Sequence, residues 1–226
     1  MAELDLSQIY QYRFDGISPA TKLKVWREIS RFILEDATRL RRGAVVSSVL
    51  DPACGDGEFL NGCVGESSQL FGCDLRQRPA SLHSSIDFRQ GYFQSQGLSQ
   101  EFDLIWVSNL LEHLPSPESL QDFLLHAKKR LGPGGVLTIM GPNIKFCGSD
   151  YWDFADHLLP LSHLTVLEHL ASAGFVTIEC TPRFLPFSFR SRLPAHPLMT
   201  RAYLKTRPAW RLLGKQFLIR AKKNES

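Results

Sequence analysis

Residues 49–59 read VLDPACGDGEF, an apolar strand that runs into a turn with two glycines and several acids. Glycines in such a turn let a ligand approach the backbone, and a helix N-terminus follows. A dinucleotide-binding turn needs a third glycine where this chain has Leu60, and a phosphate-binding loop needs a Gly-Lys-Ser/Thr sequence that does not follow. Because Asp51, Asp56 and Glu58 would repel a pyrophosphate, the turn favours a ligand with positive groups.

A second apolar run, QLFGC at 69–73, is followed by Asp74, which lies 23 residues beyond Asp51. An acid at the end of the second strand of an open α/β sheet is placed to accept hydrogen bonds from both hydroxyls of a ribose. A glycine pair alone is weak evidence, since ordinary turns also contain it. The pair, the acidic turn and the spacing of Asp74 together predict a ligand that contains a nucleoside.

Apolar runs alternate with turn signals and helical stretches along the whole chain. The runs lie at 44–50, 69–73, 102–108, 135–141, 175–180 and 216–221. Runs that are apolar on both faces predict buried parallel strands covered by helices. We expect an α/β fold: a Rossmann-like, seven-stranded, mostly parallel sheet with helices on both faces. Residues 44–226 form this domain, preceded by an N-terminal arm and helix at 1–43.

Three of the covering helices have clear signals. One runs from about Pro19, behind an N-cap at Ser18, to Arg42; a second follows Pro117; a third spans Leu164 to Ala173. The first helix has an apolar stripe that we expect to face the sheet, made of Leu23, Trp26, Ile29, Ile33, Ala37 and Leu40.

The composition is that of an ordinary globular chain, with 43% hydrophobic and 22% charged residues among 226. The longest apolar runs are too short for a transmembrane helix, and the start lacks the basic flank and apolar stretch of a signal peptide. Five cysteines without a Cys-x-x-Cys pair argue against a disulfide framework or structural zinc. We therefore expect a soluble, reduced, cytoplasmic protein.

The net charge of +3 is unevenly distributed, because residues 180–224 hold eleven Lys and Arg and no acid. Part of this region, 181–214, is a basic insertion before the last strand, where the fold needs only a short turn. It contains an apolar stripe around Leu198 and Tyr203, followed by Trp210. The insertion is either a lid packed on the core or a surface for peripheral contact with the inner membrane face or an anionic acceptor.

The sequences VLDPACGDGEF, FGCDL, FDLIWVSNLLEHL, LGPGGVL and AGF resemble successive motifs of class I S-adenosylmethionine-dependent methyltransferases. The resemblance covers about residues 44 to 180 and implies S-adenosyl-L-methionine as the cofactor. It implies that Gly55 and Gly57 line the methionine part and that Asp74 binds the ribose. The full set that it places at the cofactor is Asp51, Ala53, Gly55, Gly57, Asp74, Leu75, Tyr92, Phe93, Ser108 and Asn109.

Within that set, Tyr92 and Phe93 would flank the adenine, and Ser108 and Asn109 would face the methyl-transfer centre. The chain departs from the family pattern at two positions. Ala53 stands where the first glycine is usual, and Tyr92 stands where an acid often contacts the adenine amine.

Further stretches, such as PNI at 142–144 and YWDF at 151–154, resemble methyltransferases found beside glycosyltransferases in bacterial saccharide and secondary-metabolite pathways. The expected reaction is therefore O-methylation of a saccharide or small-metabolite hydroxyl. DPACGDG also resembles adenine-specific DNA methyltransferases, but the sequence that would hold a flipped base is replaced by SNLL at 108–111, so nucleic acid is the weaker alternative. A catalytically silent cofactor-binding module is the other.

A hydroxyl acceptor benefits from a general base, and two histidines are candidates. His157 is the first choice, because Asp153 or Asp156 could orient its imidazole, and His113 is the second. The residues expected to contact the substrate are Arg13, Tyr151, Trp152 and Asp156.

Acids and a histidine recur at three- and four-residue steps in one segment: Asp150, Asp153, Asp156 and His157. They would share one face if the segment were a helix. Such side chains can bind Mg²⁺ or a transition metal. Acids near helix starts are common for other reasons, so we assign no metal ligand from the sequence.

Overall fold

Seven strands form one sheet in the computed structural model, which describes Gln8, Ile9, Tyr12 and residues 18–187 and 196–224. The strands are β1 (Ser48–Asp51), β2 (Gln69–Asp74), β3 (Asp87–Gln90), β4 (Phe102–Ser108), β5 (Leu131–Pro142), β6 (Phe175–Thr181) and β7 (Gln216–Lys223). Their order is β3-β2-β1-β4-β5-β7-β6, and β7 runs antiparallel to both neighbours while the other pairs are parallel. The predicted sheet is confirmed.

Helices cover both faces of the sheet. They are α1 (Pro19–Leu40), α2 (Glu58–Cys63), α3 (Pro117–Arg130), α4 (Ile144–Cys147), α5 (His163–Ser172), α6 (Pro197–Lys205) and α7 (Arg207–Leu213). Buried side chains of α3 and α5 form one hydrophobic cluster with the sheet, and those of α1, α2, α6 and α7 form another. The division of the chain at residue 43 stays a prediction.

Helix α1 buries the middle of the predicted apolar stripe, Ile29, Ile33 and Ala37, but its buried face is turned slightly away from the predicted one. Val25, Ile29, Ile33 and Ala37 are buried, whereas Leu23 is 40% exposed. The helix rotates this way because it packs closely on α2. Ser30 Oγ lies 2.9 Å from the carbonyl oxygen of Phe59, and a Cβ on Gly62 would overlap the Ser30 side chain. Ser18 occupies the N-cap position without a side-chain hydrogen bond.

The insertion forms α6 and α7, and its aromatic residues pack inward; residues 188–195 lie outside the described part of the chain. Trp210 is 6% exposed and packs edge-on against Phe32 and Phe184, with its indole N–H donating to the Tyr203 carbonyl oxygen. The burial of Trp210 agrees with a lid packed on the core and not with a contact surface that includes this residue. Leu198 is 69% exposed, so only part of the predicted apolar stripe remains at the surface.

A buried arginine joins α1 to the last two strands. Arg220 Nε lies 2.8 Å from Asp36 Oδ2 on α1, and its Nη1 donates to Thr181 Oγ1 at 2.9 Å. Arg39 contacts the other oxygen of Asp36 at 2.7 Å and Glu179 on β6 at 2.8 Å. This network closes the antiparallel end of the sheet against the N-terminal helix.

Among the described residues, no helix is both long enough and apolar enough to span a membrane.

We expect Arg220→Ala to lower the free energy of unfolding by about 3–5 kcal/mol, because it leaves a largely buried carboxylate without its buried partner. Arg39→Ala removes a half-exposed partner of the same Asp36 and should cost at most about 1 kcal/mol. Urea unfolding followed by circular dichroism measures both. Equal losses in the two variants would show that burial of Arg220 contributes nothing special.

Candidate active site

A cavity of about 1160 Å³ opens where the carboxyl ends of β1, β2 and β4 meet. This is the edge at which open parallel sheets bind ligands. Many residues selected from the sequence line it: Asp51, Ala53, Gly55, Asp74, Leu75, Tyr92, Phe93, Ser108, Asn109, His113, Asp156 and His157.

The glycine turn after β1 uses both glycines for their backbone conformation. Gly55 and Gly57 have φ of +58° and +80°, in the left-handed region that other residues rarely adopt. Gly55 lines the cavity, and its N–H donates to Asp74 Oδ2 at 2.8 Å. Gly57 does not line the cavity. It begins α2, and a Cβ there would overlap Leu82, so Gly57 shapes the turn from behind.

Asp74 is held rigidly at the end of β2. Besides the Gly55 contact, its Oδ1 accepts hydrogen bonds from the backbone N–H of Arg76 at 3.0 Å and from Arg76 Nε at 3.2 Å. A carboxylate has about four acceptor positions. Oδ2 therefore retains capacity for a ribose hydroxyl, while a second hydroxyl at Oδ1 requires the Arg76 side chain to withdraw. Arg76 was not among the site residues selected from the sequence, although it lies only two residues after Asp74.

Two neighbouring basic side chains pair with acids of the glycine turn. Lys22 pairs with Glu58 and lies 3.5 Å from Asp56, and Arg76 lies 3.2 Å from Asp56. These cations offset much of the negative charge that the sequence assigns to the turn.

Asp51 is the buried acid of this end of the cavity, with 4% of its surface exposed. Its Oδ1 accepts the N–H of Ala53 at 3.2 Å. Burial, with smaller contributions from the negative charges of Asp74 and Glu58, raises the pKa of the Asp51 carboxyl to about 8. A cationic group beside it would favour the ionised form. The ammonium-bearing end of S-adenosylmethionine fits this carboxyl, as its ribose fits Asp74.

The chain turns sharply into the cavity at the end of β4. Asn109 has φ of +48°, its N–H donates to the Met140 carbonyl oxygen at 2.9 Å, and its Nδ2 donates to Ser108 Oγ at 3.1 Å. Asparagine tolerates this left-handed conformation better than most residues. After this turn, residues 111–113 form a short 3₁₀ helix. It leads to the part of the cavity lined by His113 and His157, which we call the acceptor side.

His113 and His157 lie close together on that side, with ring centroids 5.1 Å apart. His113 Nδ1 lies 2.7 Å from the Asp156 carbonyl oxygen and 3.6 Å from its carboxylate. Asp156 therefore orients His113, which the sequence analysis ranked second. His157 is 8% exposed, and its ring stacks on Phe154 at 5.0 Å.

Two residues that the sequence placed at the substrate do not line the cavity. Tyr151 is fully buried, and its hydroxyl donates to the Leu159 carbonyl oxygen and accepts the N–H of Leu161, so it supports the loop that carries His157. Trp152 is 52% exposed to solvent outside the cavity. Neither residue lines the cavity, and the expected substrate contacts stay predictions. Arg13 lies outside the described residues.

Residues 150–157 do not form one continuous helix, so the shared face considered from the sequence does not form. A 3₁₀ helix ends at Trp152, and the chain then bends. Asp150 turns away to Lys215 Nζ at 2.8 Å, and this hydrogen bond and charge lower the pKa of the Asp150 carboxyl.

Apolar side chains also line the cavity, and most were not selected from the sequence. They come from α1, from the segment before residue 188, and from the insertion helices: Trp26, Phe154, Leu185, Phe187, Met199, Tyr203 and Leu213. No local motif marks them, because only tertiary packing brings these distant segments together.

Comparison with known proteins agrees with this geometry. Residues 24–179 match the model of a methyltransferase domain family. A SAM-dependent methyltransferase from Archaeoglobus fulgidus superposes with a TM-score of 0.66 at 19% identity, covering 97% of this chain and 100% of that one. The 1,6-didemethyltoxoflavin-N1-methyltransferase of Burkholderia thailandensis superposes with a TM-score of 0.62 at 19% identity, covering 97% and 87%.

A ubiquinone biosynthesis O-methyltransferase of Azoarcus sp. (strain BH72) is 27% identical over 139 residues, which are 57% of this chain and 58% of that protein. The alignment thus spans little more than half of the relative's length. The mostly parallel sheet, the glycine turn and the acid after β2 define a class I S-adenosylmethionine-dependent methyltransferase. The chain belongs to the methyltransferase domain family.

Asp74→Ala should weaken S-adenosylmethionine binding by about 2–4 kcal/mol, roughly 30- to 1000-fold, because it deletes a charged hydrogen-bond acceptor and loosens the glycine turn. Isothermal titration calorimetry measures the affinity. Asp87→Ala, which removes an exposed acid on neighbouring β3, is the matched control and should bind normally. Wild-type affinity in Asp74→Ala would reject the assignment.

The raised pKa of Asp51 predicts that cofactor binding is linked to proton release. Between pH 6 and 7 the free protein holds this carboxyl mostly neutral, since its pKa is about 8. A bound cation lowers that pKa, so a proton leaves, and affinity should rise with pH up to about 8.

Calorimetry in two buffers of different ionisation enthalpy counts the released protons. Asp51→Asn keeps the shape of the side chain and should remove the release while lowering affinity. The same proton count in both proteins would show that Asp51 is not the responsible group.

Proposed function

We propose that this methyltransferase transfers a methyl group to a hydroxyl of a small molecule. The observation that carries the proposal is the pair of His113, which is partly buried, and His157, which is buried; both line the cavity that also contains Asp51 and Asp74. A hydroxyl must lose its proton during the transfer, and an imidazole accepts protons near neutral pH.

Each end of the cavity has its own task in this proposal. Asp51, Gly55 and Asp74 hold S-adenosylmethionine, which supplies an electrophilic methyl group when bound. His113 and His157 hold the acceptor hydroxyl and promote the loss of its proton. Alignment of donor and acceptor in one enclosed site is worth about 7–11 kcal/mol, which is more than proton removal contributes.

The apolar lining of the cavity suggests the chemical class of the acceptor. Trp26, Leu185, Phe187 and Met199 offer apolar surface and few hydrogen-bonding groups. A saccharide brings many hydroxyls, and burying them against such a surface without partners is costly. We therefore favour an apolar small metabolite that bears a hydroxyl over the saccharide suggested by the sequence resemblance. The O-methyltransferase relative from Azoarcus is consistent with this choice.

The other interpretations have less support. A silent cofactor-binding module does not need two neighbouring histidines that line the cavity. Membrane contact through residues 181–214 was based on Leu198, Tyr203 and Trp210, and Trp210 packs into the body of the protein. We therefore do not extend the proposal to a membrane surface or to nucleic acid.

His157→Ala should reduce turnover about 10²–10⁴-fold while cofactor affinity stays within about twofold, because the substitution affects proton removal and not the cofactor end. Turnover is measured as S-adenosylhomocysteine formed with a panel of phenols and aliphatic alcohols and, in parallel, a panel of saccharides. His126→Ala, on the outer surface of α3, is the control. Normal turnover in His157→Ala would exclude a role for this histidine in the reaction, and preference for saccharides would overturn the acceptor class.

A further inference from the structure

A carboxylate and two imidazoles converge at the acceptor end of the cavity. One ligand atom each of Glu112, His113 and His157 lies within 4.8 Å of the others. Two histidines with one carboxylate are a donor set that binds divalent transition metals such as Zn²⁺, Mn²⁺ and Fe²⁺. We propose that these three residues bind a divalent transition-metal ion. The site itself stands on this geometry, and only its catalytic role rests on the proposed function.

The tautomer of His113 supports the proposal. A carbonyl oxygen can only accept, so the 2.7 Å contact with Asp156 requires Nδ1 of His113 to carry the hydrogen. In the neutral ring, Nε2 then presents its lone pair, and Nε2 lies 3.8 Å from Glu112 Oε1. A lone pair facing a carboxylate oxygen favours a cation between them. Metal-binding histidines commonly donate their second ring N–H to a carbonyl or carboxylate in this way.

The three proposed ligands lie on two segments, one with residues 112–113 and one with residue 157, and hydrogen bonds join these segments. The Glu112 carbonyl oxygen accepts the N–H groups of Leu158 and Leu159 at 2.8 and 3.0 Å, next to the His113–Asp156 contact. Atoms bound to one metal ion at about 2.0–2.1 Å lie roughly 3.4 Å apart, so donor atoms that lie up to 4.8 Å apart need to approach one another by up to about 1.4 Å.

The surroundings also suit a dication. Glu112 and Asp156 bring two carboxylates into one buried cluster, with His113 between them. The Asp156 carboxylate therefore adds electrostatic attraction for a cation beyond the three direct ligands.

A metal ion at this place would make the histidines ligands instead of proton acceptors, because a ring nitrogen that binds the ion cannot also take the proton of the hydroxyl. Three protein ligands leave coordination positions open, and the cluster borders the cavity near Asn109. A bound metal ion lowers the pKa of a coordinated hydroxyl, so that its proton leaves to solvent and the oxygen becomes the stronger nucleophile. The set differs from the Asp150–His157 spacing considered in the sequence, because only folding brings residues 112–113 to residue 157.

The test uses the full chain without an affinity tag, stripped with a chelator and titrated with Co²⁺ and Zn²⁺. We expect one ion per chain by calorimetry, with the visible absorption of Co²⁺ bound to nitrogen and oxygen ligands. Glu112→Gln, His113→Ala and His157→Ala should each weaken binding at least about tenfold. His126→Ala, near Asp122 on exposed α3, should leave affinity and spectrum unchanged, and circular dichroism verifies the fold of each variant.

Binding of Co²⁺ no tighter in the full chain than in His113→Ala would overturn the metal site. Full methyl transfer by the chelator-stripped protein would instead overturn the catalytic role of the metal ion, and in that case the histidines act without metal and the proposed function stands. Failure of the stripped protein to bind S-adenosylmethionine would count against the proposed function instead, because Asp51 and Asp74 are independent of the metal ligands.

Discussion

The hydrogen bond from the Gly55 N–H to Asp74 Oδ2, at 2.8 Å, is the contact on which the cofactor end of the site depends. It joins the turn after β1 to the end of β2 and fixes the direction of both. The bond forms because parallel strands bring their carboxyl ends to one edge, and because φ of +58° at Gly55 turns its N–H toward the acid. Asp51 lies beneath the same turn, so one local geometry serves both ends of the cofactor.

The acceptor end has a comparable connection. Backbone hydrogen bonds from Leu158 and Leu159 to Glu112, together with the His113–Asp156 contact, hold the loop after β4 against the loop that carries His157. Each end is therefore preorganised by contacts between segments that follow different strands. Apolar side chains from α1 and the insertion line the same cavity.

The fold could be predicted from the sequence because its strands are apolar on both faces, but β3 gave no apolar run, since it is a short, largely exposed edge strand. Gly55 and Asp74 could be found because their spacing is local. The contact between His113 and Asp156 could not be predicted, because the two residues lie 43 positions apart in the chain. Residue type could not show that Tyr151 supports the site from within or that Trp210 is buried, since aromatic side chains serve both surfaces and cores.

The central claim is that one cavity holds the cofactor at Asp51 and Asp74 and the acceptor at His113 and His157. A crystal structure with S-adenosylhomocysteine tests it most directly. The account predicts ribose hydroxyls against Asp74, the ammonium group against Asp51 and the thioether sulfur facing the histidine pair. A sulfur directed away from the histidines, or a ligand bound elsewhere, would contradict the account.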